Sequence, residues 1–392
     1  MTNSAKTSVR QEFQLIPLTV VFQETASFKD TYGGADGWVA IGGLYYKPET
    51  HSDTVLISMH PIGGTGRLPV MRYLAQQGLH VIGADSRYRG IDNALIMEKV
   101  VTDLGAMVRY AKEALGYKKV VLLGWSGGGS LTAYYQSEAE APSVTSSPGG
   151  YGPDLTQANL IAADGVIFMA AHVSRHGTFT EWIDASITNE TDPYTRDADL
   201  DIYSGAHGPN FAAEFLERYR AAQITRNRKI TSWVKDKLDW LASTGRENEE
   251  FGFVVHGTMA DPRWLDPSID PNDREPGRCY LGDPKIVNMS PVGLARFSTL
   301  RSWLSQWSYD DAHGDGPKCA AKITKPVLVI NNSADDACTP SHAQRLYDGV
   351  AHENKEFYTV KGATHYYQQQ PDLAREAARV VQSWLQRNEL VV

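Results

Sequence analysis

Three widely separated stretches carry side chains that together could attack a carbonyl. In "LLGWSGGGS" (122–130) Ser126 stands in the pattern G-x-S-x-G, directly after the apolar run "VVLL". A serine there is either a nucleophile held on a sharp strand-to-helix turn or one residue of a glycine-rich bend, and the motif alone is weak. Its surroundings favour the first reading. A nucleophile at a strand end sits in a strained conformation, so Gly124 and Gly128 would supply room where strand and helix crowd together. The helix that follows would aim its N-terminal amides at the site and favour negative charge there.

A serine hydroxyl is a poor nucleophile without a base, and the base needs an acid to orient it. "VLVINNSADDACTP" (327–340) puts Asp335 and Asp336 just past one apolar run, and "YTVKGATHYYQ" (358–368) puts His365 just past the next. The chain order is therefore Ser, Asp, His, with both partners in loops at strand ends. Those are the places where an open α/β sheet gathers its ligand groups.

The elements that must position them read as parallel βαβ units. Strands are expected at 18–24, 38–46, 54–59, 79–84, 119–123 and 165–170, with helical patterns over 67–77, 95–115 and 128–136. The alternation stops near 171. It resumes with a strand at 325–332, a helix near 341–350, a strand at 355–362 and an amphipathic helix over 371–387. Three parts follow: 1–170, an insertion over 171–320, and 321–392. The insertion is read as helical, with "FGFVVHG" ambiguous. Ile230, Trp233, Val234, Leu238 and Leu241 share one helical face, as do Leu294, Phe297, Leu300, Leu304 and Trp307. The insertion also holds six of the nine tryptophans. A further excursion, 137–156, is rich in Ser, Pro and Gly and reads as a flap or decorated loop.

On these motifs the chain resembles the α/β-hydrolase superfamily over about 18–170 and 322–390, with the insertion where many members carry a cap. The resemblance implies a mostly parallel, doubly wound sheet with a large helical cap. It assigns Ser126 as nucleophile, His365 as general base and then acid, and an aspartate as orienter. Similar members place that acid four residues before a proline. Pro340 stands four after Asp336, so Asp336 is chosen and Asp335 is left to cap the loop.

Two backbone N–H groups usually hold the oxyanion. "MHPIGGTG" (59–66) departs from the family's His-Gly turn through Pro61, which has no N–H to give. Ile62 and Gly127 are the expected donors, with Gly63 in reserve. His60 and Trp125 are the candidate substrate contacts, although His60 also fits a structural loop role and Trp125 could pack beneath the turn. Arg87 and Arg89, in "ADSRYRGID", read as ties within the core.

The implied activity is cofactor-independent hydrolysis of a carboxylic ester or lactone, of a bulky or apolar substrate if the aromatic insertion lines the pocket. Amidase, peptidase, thioesterase, C–C hydrolase and acyltransferase activities share the same triad, and a non-catalytic binding protein is the rival from another class. A serine at this position argues against haloalkane dehalogenase and epoxide hydrolase chemistry, which similar proteins run with aspartate.

Composition narrows the partners. A net charge of −8 gives no reason to expect nucleic acid or anionic membranes. Cys279, Cys319 and Cys338 form neither a disulfide framework nor a CxxC site, which suits a reducing cytoplasm. No leader or spanning segment is read in the chain. No metal site is expected, since His172 and His176 lack a third ligand. No glycine fingerprint for a dinucleotide or P-loop is present. A small-molecule substrate is expected, and oligomeric state is unreadable.

Overall fold

In a computed structural model, residues 12–24, 31 and 37–391 are described. The N-terminal stretch 1–11, part of the segment searched for a leader, lies outside them. Ten strands are seen among the described residues: β1 (Phe13–Gln23), β2 (Trp38–Pro48), β3 (Thr54–Met59), β4 (His80–Ala84), β5 (Lys119–Ser126), β6 (Gly165–Ala171), β7 (Gly252–Val254), β8 (Phe297–Thr299), β9 (Val327–Asn332) and β10 (Lys355–Val360). Between them run α1 (Pro69–Gln76), α2 (Met97–Glu113), α3 (Gly128–Glu140), α4 (Arg175–Trp182), α5 (Ala213–Ser243), α6 (Pro284–Val287), α7 (Leu300–Gln306), α8 (Gly316–Ala320), α9 (Pro340–Gly349) and α10 (Pro371–Arg387).

Eight strands form one sheet in the order β1-β2-β4-β3-β5-β6-β9-β10. β2 is antiparallel to both β1 and β4, and every other pair is parallel. The central strands β3, β4, β6 and β9 are buried at every position, as expected of near-continuous Val/Ile/Leu runs covered on both faces. Their two faces feed two cores. Ile57, Leu122, Val166 and Val327 meet α2 through Val100, Leu104 and Met107. Their neighbours Leu56, Leu123, Ile167 and Leu328 meet α1 and α10 through Met71, Leu74, Val381 and Trp384. The alternation by one residue is the period-2 pleat, and each core of this kind contributes roughly 25 cal/mol per Å² of apolar area buried.

The segment between β6 and β9 is built on the 31-residue α5. Phe179, Ile230, Val234, Leu241, Trp303 and Trp307 make its core. Here the sequence reading needs two corrections. "FGFVVHG" contains a true strand, β7, which pairs antiparallel with β8. Residues 294–307 are not one helix: Phe297–Thr299 is taken up by that pairing, and α7 begins only at Leu300. Four of the six tryptophans in this segment, Trp182, Trp264, Trp303 and Trp307, are wholly buried, whereas Trp233 and Trp240 are exposed. Arg87 and Arg89 act as the ties expected of them. Arg87 binds Asp103 through Nε (2.9 Å) and pairs with Glu24, and Arg89 pairs with Asp85 (2.9 Å).

Candidate active site

Ser126 ends β5 with φ at +54°, in the left-handed region that an L-residue enters only at a cost. The parallel ladder to β6 slips at that point, Trp125 pairing with Met169 but Ser126 with Ala171. Close packing enforces the turn. A Cβ at Gly124 would stand 2.6 Å from the Gly128 carbonyl oxygen, and one at Gly128 would stand 2.5 Å from that of Met59. The room expected of these two glycines is therefore real, and α3 starts hard against the end of β3.

His365, in the loop after β10, accepts the Ser126 hydroxyl at Nε2 (3.2 Å). Its Nδ1 lies 2.8 Å from Oδ2 of Asp335. The other Asp335 oxygen, Oδ1, accepts the N–H groups of Ala337 and Cys338, both at 2.8 Å. Asp335 is completely buried. A buried charge of this kind is tolerable only when hydrogen-bonded as fully as this one.

This corrects the choice of Asp336. Asp335 faces the histidine because the chain turns at this point: the Asp335 N–H bonds the Asn332 carbonyl and the Ala334 N–H bonds that of Ala363. The neighbouring carboxylate is thereby aimed elsewhere. Burial, and next the Asp335 charge, hold Asp336 up at about 6. Counting back from Pro340, the first residue of α9, cannot see that turn.

Trp125 packs beneath the serine instead of presenting a face to substrate. It belongs to the core shared with α1 and α10, its ring lies 4.6 Å from that of His365, and its Nε1–H donates to the His365 carbonyl at 3.2 Å. It props the histidine loop from below.

The loop after β3 departs from expectation at Ile62. The Ile62 N–H donates to Nδ1 of His60 (3.2 Å), the Gly63 N–H to the His60 carbonyl (2.7 Å) and the Gly64 N–H to Asp85 (2.6 Å). With Pro61 lacking an N–H, the amides of residues 61–64 are spent. Gly127 keeps its N–H without an acceptor among the described residues. The Ile62 bond has a second effect. A neutral imidazole that accepts at Nδ1 carries its proton on Nε2. Burial, then the charge of Arg175, drive the His60 pKa down to about 3, so the ring is neutral. Its Nε2 lies beside Gly127, 2.7 Å from where a Cβ would stand.

Two neighbours escaped the sequence reading. His172, at the end of β6, donates its N–H to the Ser126 carbonyl (2.9 Å), and its ring lies 6.3 Å from that of His365. Burial holds its pKa well below the ordinary value, with His342 adding to the effect. The adjacency of β5 and β6 was the available signal. Cys338 is the other: among the described residues only Asp335, Cys338 and His365 bring three potential metal-ligand atoms together, within 4.8 Å. Burial and the two aspartates push the Cys338 thiol well up, which keeps it S–H, and both nitrogens of His365 are already engaged. His172 and His176 face different neighbours, Trp182 and His342 for the first, Tyr309 and Asp315 for the second.

The segment between β6 and β9 reaches the site from above. Trp264 Nε1–H donates to the Asp336 carbonyl (2.7 Å), Asn272 to that of Asp335 (2.8 Å), and the Tyr280 ring stands 6.4 Å from that of His365. No helix among the described residues is long and apolar enough to cross a membrane.

Residues 55–147 match a family model described as alpha/beta hydrolase fold. No curated protein matches the sequence. Among solved structures, the chain is similar to the α/β hydrolase GrgF of a Penicillium species (12% identity, TM-score 0.49, covering 95% of this chain and 98% of that one). It is also similar to an esterase domain from Rhodothermus marinus (14%, 0.46, 95% and 98%) and to a Pyrococcus furiosus esterase (13%, 0.44, 99% and 95%). The strand order and the strained serine between β5 and α3 agree with the match over 55–147, and the chain has the α/β-hydrolase fold.

Proposed function

We propose that the protein is a serine hydrolase of carboxylic esters, lactones included, with Ser126 as nucleophile, His365 as general base and acid, and Asp335 as orienter. The observation that carries this reading is the continuous hydrogen-bonded chain from the Ser126 hydroxyl through His365 to Asp335. Ser126 Oγ adds to the acyl carbon while its proton passes to His365 Nε2. The negative charge that develops on the carbonyl oxygen is met by the Gly127 N–H and by the Nε2–H of neutral His60, which takes over from the occupied Ile62 amide. Collapse expels the alcohol, which leaves with the proton from His365. Water then attacks the acyl-enzyme by the same path, and the acid departs.

In the β6–β9 segment Trp182 packs on Trp264, and Trp303 and Trp307 pack on Phe179, which gives no support to a bulky apolar substrate. The test is labelling by a fluorophosphonate together with turnover of short aryl esters. Wild type labels at Ser126, and Ser126→Ala neither labels nor turns over. Absence of both from the folded wild type overturns the reading.

A further inference from the structure

Native proteins rarely leave buried polar atoms without partners, so a cluster of them points to a missing ligand or water. Among the described residues, seven of the fifteen such side-chain atoms belong to His172, Arg175, His176, Thr178, Gln306 and Trp307. All come from the stretch that runs from the end of β6 into α4 and from the end of α7, and the His172 ring stands 6.3 Å from that of His365. His172 ties this cluster to the site through its bond to the Ser126 carbonyl.

Arg175 is the charged member. Its side chain is 6% exposed, and it makes one ion pair, Nη2 to Asp92 at 2.9 Å, with Nε left orphaned. The other buried arginines are far better engaged. Arg263 binds Asp261, Glu181 and Thr339. Arg226 clasps both oxygens of Glu190 and two carbonyls. Arg274 takes the carbonyls of Arg263, Ile269 and Asp270. Even Arg296, which also has an orphan Nε, gives Nη2 to the Asn288 carbonyl and to Thr258. The Arg175 guanidinium lies on the Trp307 ring at 4.3 Å, a flat seat that fixes its plane and leaves unused donors in a fork matched to a carboxylate.

Charges nearby suit an anion. His60 and His172, both within the electrostatic reach of Arg175, are held neutral. Asp92 offsets part of the arginine charge, and Asp315 pairs with His176 (4.0 Å) and Lys318 (3.1 Å). Neither fills the fork.

Resting on the ester-hydrolase reading, we propose that Arg175 binds a free carboxylate on the substrate, so that the preferred substrates are esters or lactones bearing a second, ionised acid group a short chain away from the scissile carbonyl.

The test compares the 4-nitrophenyl ester of succinic acid with its neutral methyl-capped counterpart. Wild type is expected to favour the anionic ester by about ten- to hundredfold in kcat/KM, the worth of a hydrogen bond to a charged group. Arg175→Gln brings the ratio to about one, and Arg175→Lys retains part of it. A wild-type ratio near one, or a ratio unchanged in Arg175→Gln, overturns the proposal. Glutarate supplies a readout independent of turnover: it raises the melting temperature of Ser126→Ala but not of Ser126→Ala/Arg175→Gln. If neither ester is hydrolysed and Ser126 does not label, the ester-hydrolase reading fails, and equal shifts or none with glutarate then remove the anion site as well.

Discussion

In the part of the site built around His365, the polar atoms of the relay are spoken for. Asp335 accepts three N–H groups, His365 uses both ring nitrogens, and Trp125 fixes the histidine carbonyl. In the neighbouring stretch from His172 to Thr178, several equally buried side-chain atoms go without partners. The satisfied set can hold its geometry before any substrate arrives, which is what a proton relay needs. The orphaned atoms of the second set have lost water and gained no partner in the protein, and that is the opening the proposed carboxylate would fill.

The largest effect is expected where the satisfied set is broken. Asp335→Asn should lower kcat by about 10⁴, because the amide no longer enforces the histidine tautomer. Asp336→Asn should stay within about threefold, and steady-state kinetics on one aryl ester reads both; equal losses would reverse the assignment. His60 belongs to neither set. Its removal in His60→Ala should lower kcat by about 10²–10³ with little change in KM, uniformly from pH 5 to 9, since the ring is neutral far below that range. His60→Gln, which keeps a donor, should recover part. A loss confined to KM would assign His60 to substrate contact alone.

In the orphaned set the comparison predicts the opposite sign. Thr178→Val removes a fully buried hydroxyl that has no partner, so urea unfolding should show no loss and a gain of up to about 1 kcal/mol. A loss of that size would mean the hydroxyl is satisfied after all. A last effect, read only in the pH dependence, concerns Asp336, whose carboxyl is held up at about 6, above its unfolded value of about 4. The folded state therefore keeps the proton longer, and wild-type stability falls as pH rises through that window. Asp336→Asn lacks this loss. Its stability relative to wild type should rise between about pH 4 and 6 and then level off; a flat difference would place the titration elsewhere.

Much of this architecture was legible in the chain. The βαβ alternation located the sheet, since buried parallel strands must be apolar runs and the helices between them amphipathic. The glycines at 124 and 128 announced the elbow because the crowding they relieve lies within a few residues of Ser126 or directly behind it. The order of serine, aspartate and histidine followed from strand ends. The strand pairing of 252–254 with 297–299 was missed because its two halves lie more than forty residues apart and each is only three residues long.

What the sequence by itself determined was therefore which residue types stand at which strand ends, because strands and tight turns are coded locally by periodicity and glycine. Only the tertiary structure put Asp335, not Asp336, against His365, spent the Ile62 amide on His60 and set Trp125 beneath the histidine. It also gathered the orphaned groups around Arg175. Each of these depends on the direction in which one side chain or one N–H points, and that direction is set by packing and hydrogen bonds from segments remote in the chain.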